Sequence, residues 1–336
     1  MHYRKTIITT LFITCTAFAL KSQTFNWKTG YYGFFDNREY FNDYVTDQTI
    51  SGTRISGELG YSFIAGNRIM AGADYLYEFG SKGEWIAPDF IAYYNGNRGN
   101  IDFYLGAFPR LNRIRMPLAL MNDTFQYYRP MLEGIFIEFK TPGFMHNIWI
   151  DWTGRQSFQK RETFVLGFSG FAKRGILIWQ HHLVMTHLAH SLNTGTGERI
   201  RDNAGFSVMP GIDLSGVTGL DSLCISMGFL GSYDRLRSIY DFRVPVGFLG
   251  EIEAVHKGFG LHGTVYAGES QVILPGDGFY RATFYTRADA FYAHSTPHLQ
   301  VRLQFSLHFI PGVVDLSMSL TVRAQLDGIF RGHHSN

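Results

Sequence analysis

Near the C-terminus the chain alternates with a period of two. Leu299, Val301, Leu303, Phe305, Leu307 and Phe309 are apolar, while His298, Gln300, Arg302, Gln304, Ser306 and His308 stand before and between them. After the turn Ile310-Pro311-Gly312-Val313 the alternation resumes. Val314, Leu316, Met318, Leu320, Val322, Ala324 and Leu326 face Asp315, Ser317, Ser319, Thr321, Arg323, Gln325 and Asp327. Successive side chains of a strand point to opposite faces, so each segment has one wholly apolar face and one polar face. Each run is about 12 residues long, enough for a tilted strand to cross a bilayer. The pattern predicts an all-β fold, a transmembrane antiparallel up-and-down β-barrel with lipid outside and polar groups inside.

Working back from that hairpin, about sixteen segments read as strands: 25–37, 51–64, 68–80, 84–94, 100–109, 131–141, 146–154, 162–172, 175–187, 202–211, 221–231, 244–255, 259–269, 281–293, 298–309 and 313–327. The connections alternate in length. Ala65-Gly66-Asn67, Thr141-Pro142-Gly143, Lys173-Arg174 and Lys257-Gly258 are short, whereas 38–50, 110–130, 188–201, 232–243 and 270–280 are long. Short turns at one rim and long loops at the other are the habit of outer-membrane barrels. Ile310 to Gly312 is short where a long loop is expected, which leaves counts of fourteen to eighteen open.

The N-terminal 22 residues have the make-up of an export signal. Arg4 and Lys5 precede an apolar stretch, Ile7 to Leu20, and Lys21-Ser22-Gln23 offers a cleavage point. Residues 23–336 would then form one barrel domain in the outer membrane of a Gram-negative bacterium. The chain holds 30 basic and 28 acidic residues, and Arg4, Lys5 and Lys21 leave with the signal, so the remainder is close to neutral. That balance gives no footprint for nucleic acid. Cys224 is the one cysteine beyond the signal, which excludes an internal disulfide and a cysteine-based metal site. Aromatics make up 16% of the chain with 37 glycines, a composition suited to aromatic girdles and tight turns rather than to a soluble enzyme. A soluble secreted sandwich or propeller is the competing fold, and it would need the apolar faces to meet one another.

In its strand pattern and loop asymmetry the whole mature chain resembles Gram-negative outer-membrane β-barrel proteins, porin-like ones among them. Many such barrels end on an aromatic residue, and Phe330 fits that place, although Arg331 to Asn336 follow it. The insertion 110–130 is the third loop of the long side. By resemblance in position to general porins, it would fold inward and narrow the pore. Its residues suit a constriction, with Arg110, Arg113, Arg115 and Arg129 against the single acid Asp123. A basic passage with little water attracts anions and orients sugar dipoles. The competing reading has these arginines facing solvent or paired with strand carboxylates. A second candidate is the wall around Asn147 to Trp152. With Ile148, Ile150 and Trp152 outward, Trp149, Asp151 and Arg155 would lie on the lumen face and could stack on and bond a sugar ring. Interfacial anchoring is the alternative for both tryptophans, most strongly for Trp152.

Other motifs carry less. His181, His182, His187 and His190 cluster, but adjacent strand residues face apart, which is poor geometry for one metal. Gly258 to Gly263 matches a dinucleotide fingerprint yet opens a strand instead of a helix. Ser157 and Lys160 have acyl-transfer spacing outside a helix. His190-Ser191 is the nearest approach to a lipase pair, with nothing in sequence to orient the base. The lumen face would carry mixed charge, including Arg54, Glu58, Arg68, Asp74, Glu78, Glu138, Lys140, Arg287, Asp289, Arg302 and Arg323. Such a lining either wets a channel or knits a closed interior.

The expectation is therefore a non-enzymatic porin-like channel, without cofactor or metal, passing small hydrophilic solutes such as anions or sugars. Its partners would be outer-membrane lipid and those solutes or glycans, with a homo-oligomer left open. The rivals are a non-conducting barrel for surface assembly or polysaccharide binding, and a barrel enzyme acting on lipid.

Overall fold

The structure is a computed structural model that describes residues 24–82, 84, 86–193 and 197–330. The expected export signal lies outside them. Seventeen strands form one closed antiparallel sheet: β1 (Thr24–Glu39), β2 (Gln48–Ile64), β3 (Asn67–Glu78), β4 (Asp89–Arg98), β5 (Ile101–Pro109), β6 (Met131–Thr141), β7 (Phe144–Gly154), β8 (Thr163–Arg174), β9 (Leu177–Leu188), β10 (Arg201–Asp213), β11 (Ser222–Leu236), β12 (Tyr240–Arg243), β13 (Val246–His256), β14 (Phe259–Gly268), β15 (Phe284–Ser295), β16 (Leu299–Ile310) and β17 (Val313–Phe330). β12 and β13 both pair with β11 and are separated by Val244-Pro245, so they make one interrupted stave. The barrel thus has sixteen staves, as the alternation predicts. It closes by β1 on β17, in register from Phe25 opposite Phe330 to Glu39 opposite Leu316. The even count puts both ends of the barrel on the short-turn rim, the periplasmic rim of such proteins.

The register carries the two-face rule around the wall. Leu303 stands opposite Leu320 and Phe305 opposite Met318 on the outer face. Leu59, Phe229, Leu261 and Phe305 are exposed on that face, as lipid contact requires. Closure leaves no free sheet edge and satisfies the backbone within the bilayer.

The inner face is more apolar than its charged positions suggest. Ile91, Leu132, Phe136, Trp149, Val184, Met209, Leu230, Leu249, Tyr266 and Tyr285 all point inward and are buried. They are covered by two long-side loops that enter the barrel. Loop 110–130, which contains the helix α1 (Thr124–Tyr128), contributes Ala119, Leu120 and Met121 to this core. Loop 269–283, with a 3₁₀ turn at Gly278–Arg281, contributes Ile273, Phe279 and Tyr280. Each buried apolar side chain of this kind contributes about 1.5–3 kcal/mol. The two loops also bond each other. Asn122 N–H donates to Pro275 O at 2.8 Å, and Asp277 N–H donates to Leu118 O at 2.9 Å. Gly205 on β10 makes the seat, because a Cβ there would come within 2.8 Å of both Leu120 and Ile273. Phe279 stacks against the neighbouring rings of Tyr285 and His308, at 5.0 and 4.3 Å. The inward entry of loop 110–130 matches the expectation. Its packing against a second loop makes it part of a plug.

Candidate functional site

Two regions concentrate chemistry, one beneath the plug and one on the outer wall. Beneath the plug, a cavity of about 500 Å³ opens beside the short turn Thr296-Pro297-His298. Its ceiling is loop 110–130, through Leu111, Ile114, Arg115, Met116 and Phe125. Its walls come from β1, β2, β16 and β17, whose inward side chains include Lys28, Arg54, Glu58, Gln300 and Arg323. A neighbouring cavity of about 290 Å³ shares Lys28, Leu111 and Gln325 and adds Arg113 and Glu138.

The structure joins the two groups that the sequence keeps apart. Arg110 reaches from its loop to the carboxylate of Asp151 on β7, and its guanidinium lies 5.7 Å from the centre of the Trp149 ring. It also donates to Arg129 O at 3.1 Å and Met131 O at 3.3 Å. Asp151 is 1% exposed and accepts Glu133 N–H at 2.9 Å as well. Trp149 is equally buried, and Gly167 on β8 gives it room, since a Cβ there would fall 2.1 Å from the indole. Burial pushes the Arg110 guanidinium below its usual range, and the Asp151 charge opposes that shift. An ion pair sealed this way locks the loop to the wall.

The remaining expected residues scatter. Arg113 stacks on Tyr104 at 4.2 Å and donates to Pro109 O. Arg115 projects into the larger cavity and has no ion pair among the described residues. Arg129 donates to Thr153 O at 3.1 Å, and Asp123 pairs with Arg38 at 2.8 Å. Arg155 is exposed in the loop beyond β7, so it does not share the lumen wall with Trp149 and Asp151. Trp152 is 43% exposed on the outer face beside Phe164, the place of an interfacial anchor. Several lumen charges are knitted together. Arg54 bonds Asp74 and Asp89, and Arg287 bonds Asp289, which also meets His262.

On the outer wall, near the long-loop rim, His187 ends β9 opposite Asp202 of β10. His187 Nδ1 lies 2.9 Å from Asp202 Oδ1, and the exposed Arg237 donates to the same carboxylate at 2.8 and 3.2 Å. Phe164 stacks on the imidazole at 5.1 Å, level with Trp152. The sequence offers His187 only as a poor metal ligand. Its partner is invisible there because fifteen positions separate the two, yet the hairpin register sets them face to face. Their shared outward parity is the signal that could have found the pair. His181 and His182 do point apart. His181 meets the tilted ring of His146 outside at 4.9 Å, while His182 meets Ser169 inside at 3.1 Å. Ser191 is buried and donates to Asn193 O at 3.3 Å, so its hydroxyl is turned into its own loop. Gly258 and its neighbours open β14, and Ser157 and Lys160 close a turn through Ser157 N–H to Lys160 O at 2.9 Å.

A closed, lipid-facing sixteen-stave barrel with short turns at one rim and long loops at the other is an outer-membrane β-barrel. Solved porins share the fold. A loop-deleted OmpT of Vibrio cholerae superposes with a TM-score of 0.55 at 8% identity, over 91% of this chain and all of that one. OccK3 of Pseudomonas aeruginosa gives 0.51 at 11% identity, over 90% and 96% of the two chains. No individually curated protein matches the sequence. A family model does match, over residues 19–328, and the chain belongs to the lipid A 3′-O-deacylase-type family. That membership overturns the expectation of a non-enzymatic protein. The alternation that revealed the barrel serves a channel and a lipid enzyme equally, so it could not report catalysis.

Proposed function

We propose that this protein is an outer-membrane hydrolase that removes an ester-linked acyl chain from lipid A, with His187, Asp202 and Arg237 as its working residues. The observation that carries the reading is a histidine–carboxylate pair on the lipid-facing wall at headgroup level, in a chain of a deacylase family. Packed side chains and the two inserted loops occupy much of the lumen, whereas the outer wall meets the substrate's own phase. Asp202, itself held by Arg237, orients the imidazole through Nδ1 and leaves Nε2 free. Among the described residues no hydroxyl or thiol bonds His187, so the chemistry this pair suits is general-base hydrolysis. Nε2 takes a proton from water as the hydroxide adds to the ester carbonyl. The proton then passes to the departing sugar oxygen, giving a free fatty acid and a hydroxyl. Arg199, Arg235, Arg237 and Arg243 on the adjacent loops and strand ends supply positive charge suited to phosphate.

The test is mass spectrometry of lipid A after incubation with the folded protein. Loss of one acyl chain is expected, with the rate down about 10²–10⁴-fold in His187→Ala. Unaltered lipid A with folded wild type, or full activity in His187→Ala, would sink the assignment.

A second reading keeps the porin-like channel, because the cavity beneath loop 110–130 is a space deep in the lumen bordered by arginines. Arg110, Arg113 and Arg115 would then stand at its constriction, with Trp149 and Asp151 on the wall. The plug of Leu120, Ile273 and Phe279 opposes it. Single-channel recording separates the two: stepwise conductance in wild type favours the channel, and a silent folded barrel removes it.

A further inference from the structure

The row that holds His187 and Asp202 continues one strand further. Direct cross-strand partners run Trp152, Phe164, His187, Asp202 and Arg235 from β7 to β11, so all five share the outer face. Neighbouring strands lie about 4.8 Å apart, which puts the Arg235 backbone about 10 Å from that of His187. On the long-loop half of the wall, Arg235 is the one cation at an outward strand position among the described residues. Arg38, Arg54, Arg201 and Arg287 pair with carboxylates inside, and Arg243 stands opposite the inward Asp234.

The guanidinium is held in place but not satisfied. It lies 4.6 Å from the centre of the Phe242 ring, which meets Tyr233 at 4.7 Å. No acceptor bonds it among the described residues, and of its three nitrogens only Nε is sealed. Both Nη groups are therefore open at the outer surface. The acids of the adjoining strands and loop do not neutralise it. Asp202 is taken by His187 and Arg237, Asp234 turns inward to Arg201, Asn203 and Tyr240, and Glu198 accepts Ser191 N–H. Asp241 is exposed on β12 and forms no ion pair among the described residues. Further down β11 the outward positions are Tyr233, Gly231 and Phe229. The Phe206 ring of β10 lies over Gly231, where a Cβ would come within 2.4 Å of it, and Phe229 is 61% exposed. A charged head above an apolar slope matches a phosphorylated lipid of the outer leaflet. A stacked guanidinium keeps its in-plane N–H donors free, the geometry that binds phosphate through two bonds. An arginine on a lipid-facing wall is tolerated only near the border of the hydrocarbon, where phosphates stand.

We propose that Arg235 recognises phosphate on the lipid A headgroup, two strands from His187, so that the ester beside that phosphate is the one presented to the imidazole. An acyl chain of the same lipid lies down the slope of Phe206 and Phe229. The proposal rests on the deacylase reading for the reaction alone and adds the residue that selects the substrate.

The test is native mass spectrometry of lipid A binding to the folded barrel in detergent, made in a His187→Ala background so that no substrate is consumed. Lipid A with its phosphates should bind at least tenfold more tightly than lipid A stripped by a phosphatase. Arg235→Gln should abolish that preference, and Arg243→Gln should keep it. A large excess of inorganic phosphate should leave binding unchanged, because the site reads phosphate on a lipid. Heat-modifiable migration on gels checks that each variant folds. Equal binding of the two lipids, a preference kept by folded Arg235→Gln, an equal loss in Arg243→Gln, or displacement by inorganic phosphate would each overturn the proposal. In the chain with His187 intact, Arg235→Gln should raise KM at least tenfold and change kcat by less than about threefold. A barrel that shows this binding yet never deacylates lipid A would refute the reaction at His187 and keep the recognition by Arg235.

Discussion

Placing an arginine at Leu303 or Leu320 tests the barrel register directly. The two residues face each other across β16 and β17 on the lipid side. β16 runs for 12 residues from Leu299 to Ile310. At about 3.3 Å per residue and a tilt of about 40°, each residue climbs about 2.5 Å. Leu303 is therefore about 10 Å above the periplasmic end, well inside an apolar band about 25 Å tall. An arginine at that depth should cost about 2–4 kcal/mol for either site. The double variant should cost more than the two together, because like charges directly opposite repel. Urea titration of folding into lipid vesicles, followed by tryptophan fluorescence, measures each value. Gln325→Arg is the control, since Gln325 faces the water-accessible cavity, and a change within about 0.5 kcal/mol is expected. A one-residue slip exchanges the two faces. If Gln325→Arg proves as costly as Leu303→Arg, or if both leucine sites accept arginine freely, the register is wrong.

Two further predictions concern the plug. Asp151→Asn strands the buried Arg110 charge and should destabilise the folded barrel by about 3–5 kcal/mol, read from the same urea titrations. The double variant Arg110→Met with Asp151→Asn should recover much of that loss, because no uncompensated charge remains. Burial pushes the Asp277 carboxyl up to about 6, so loop 269–283 is held best with this group protonated. The folded state then binds the proton more tightly than the unfolded chain. The loop's attachment should weaken as pH rises from about 4 to 6, by up to about 3 kcal/mol. Hydrogen exchange of residues 269–283 at pH 4 and pH 8 should report faster opening at the higher pH, and Asp277→Asn should abolish the difference.

The family match reorders what the wall and the lumen are for. A sixteen-stave barrel is wide enough to hold an aqueous channel, and here much of that width is occupied by Leu120, Ile273, Phe279 and the inward aromatics. Packing across the lumen braces the cylinder from within and leaves the lipid-facing surface uncovered. His187 and Asp202 stand on that surface near the ends of β9 and β10 that meet the long loop.

The amino-acid sequence by itself determined the barrel. Alternation along Leu299 to Phe309, repeated over sixteen segments, sets which face meets lipid, because strand geometry ties every residue's direction to its parity. The asymmetry of turn and loop lengths set the even stave count. Trp149 and Asp151 were legible as inward, and Trp152 as outward, for the same reason. Parity says nothing about a loop's destination, so the contact between Arg110 and Asp151 and the closure of the lumen by 110–130 and 269–283 came only from tertiary structure. The strand-end pair of His187 and Asp202 was likewise hidden, since the loop between them scores as separation in sequence and as nothing in space. What is periodic and local could be read along the chain. What depends on two distant segments meeting was decided by the closed barrel that brings them together.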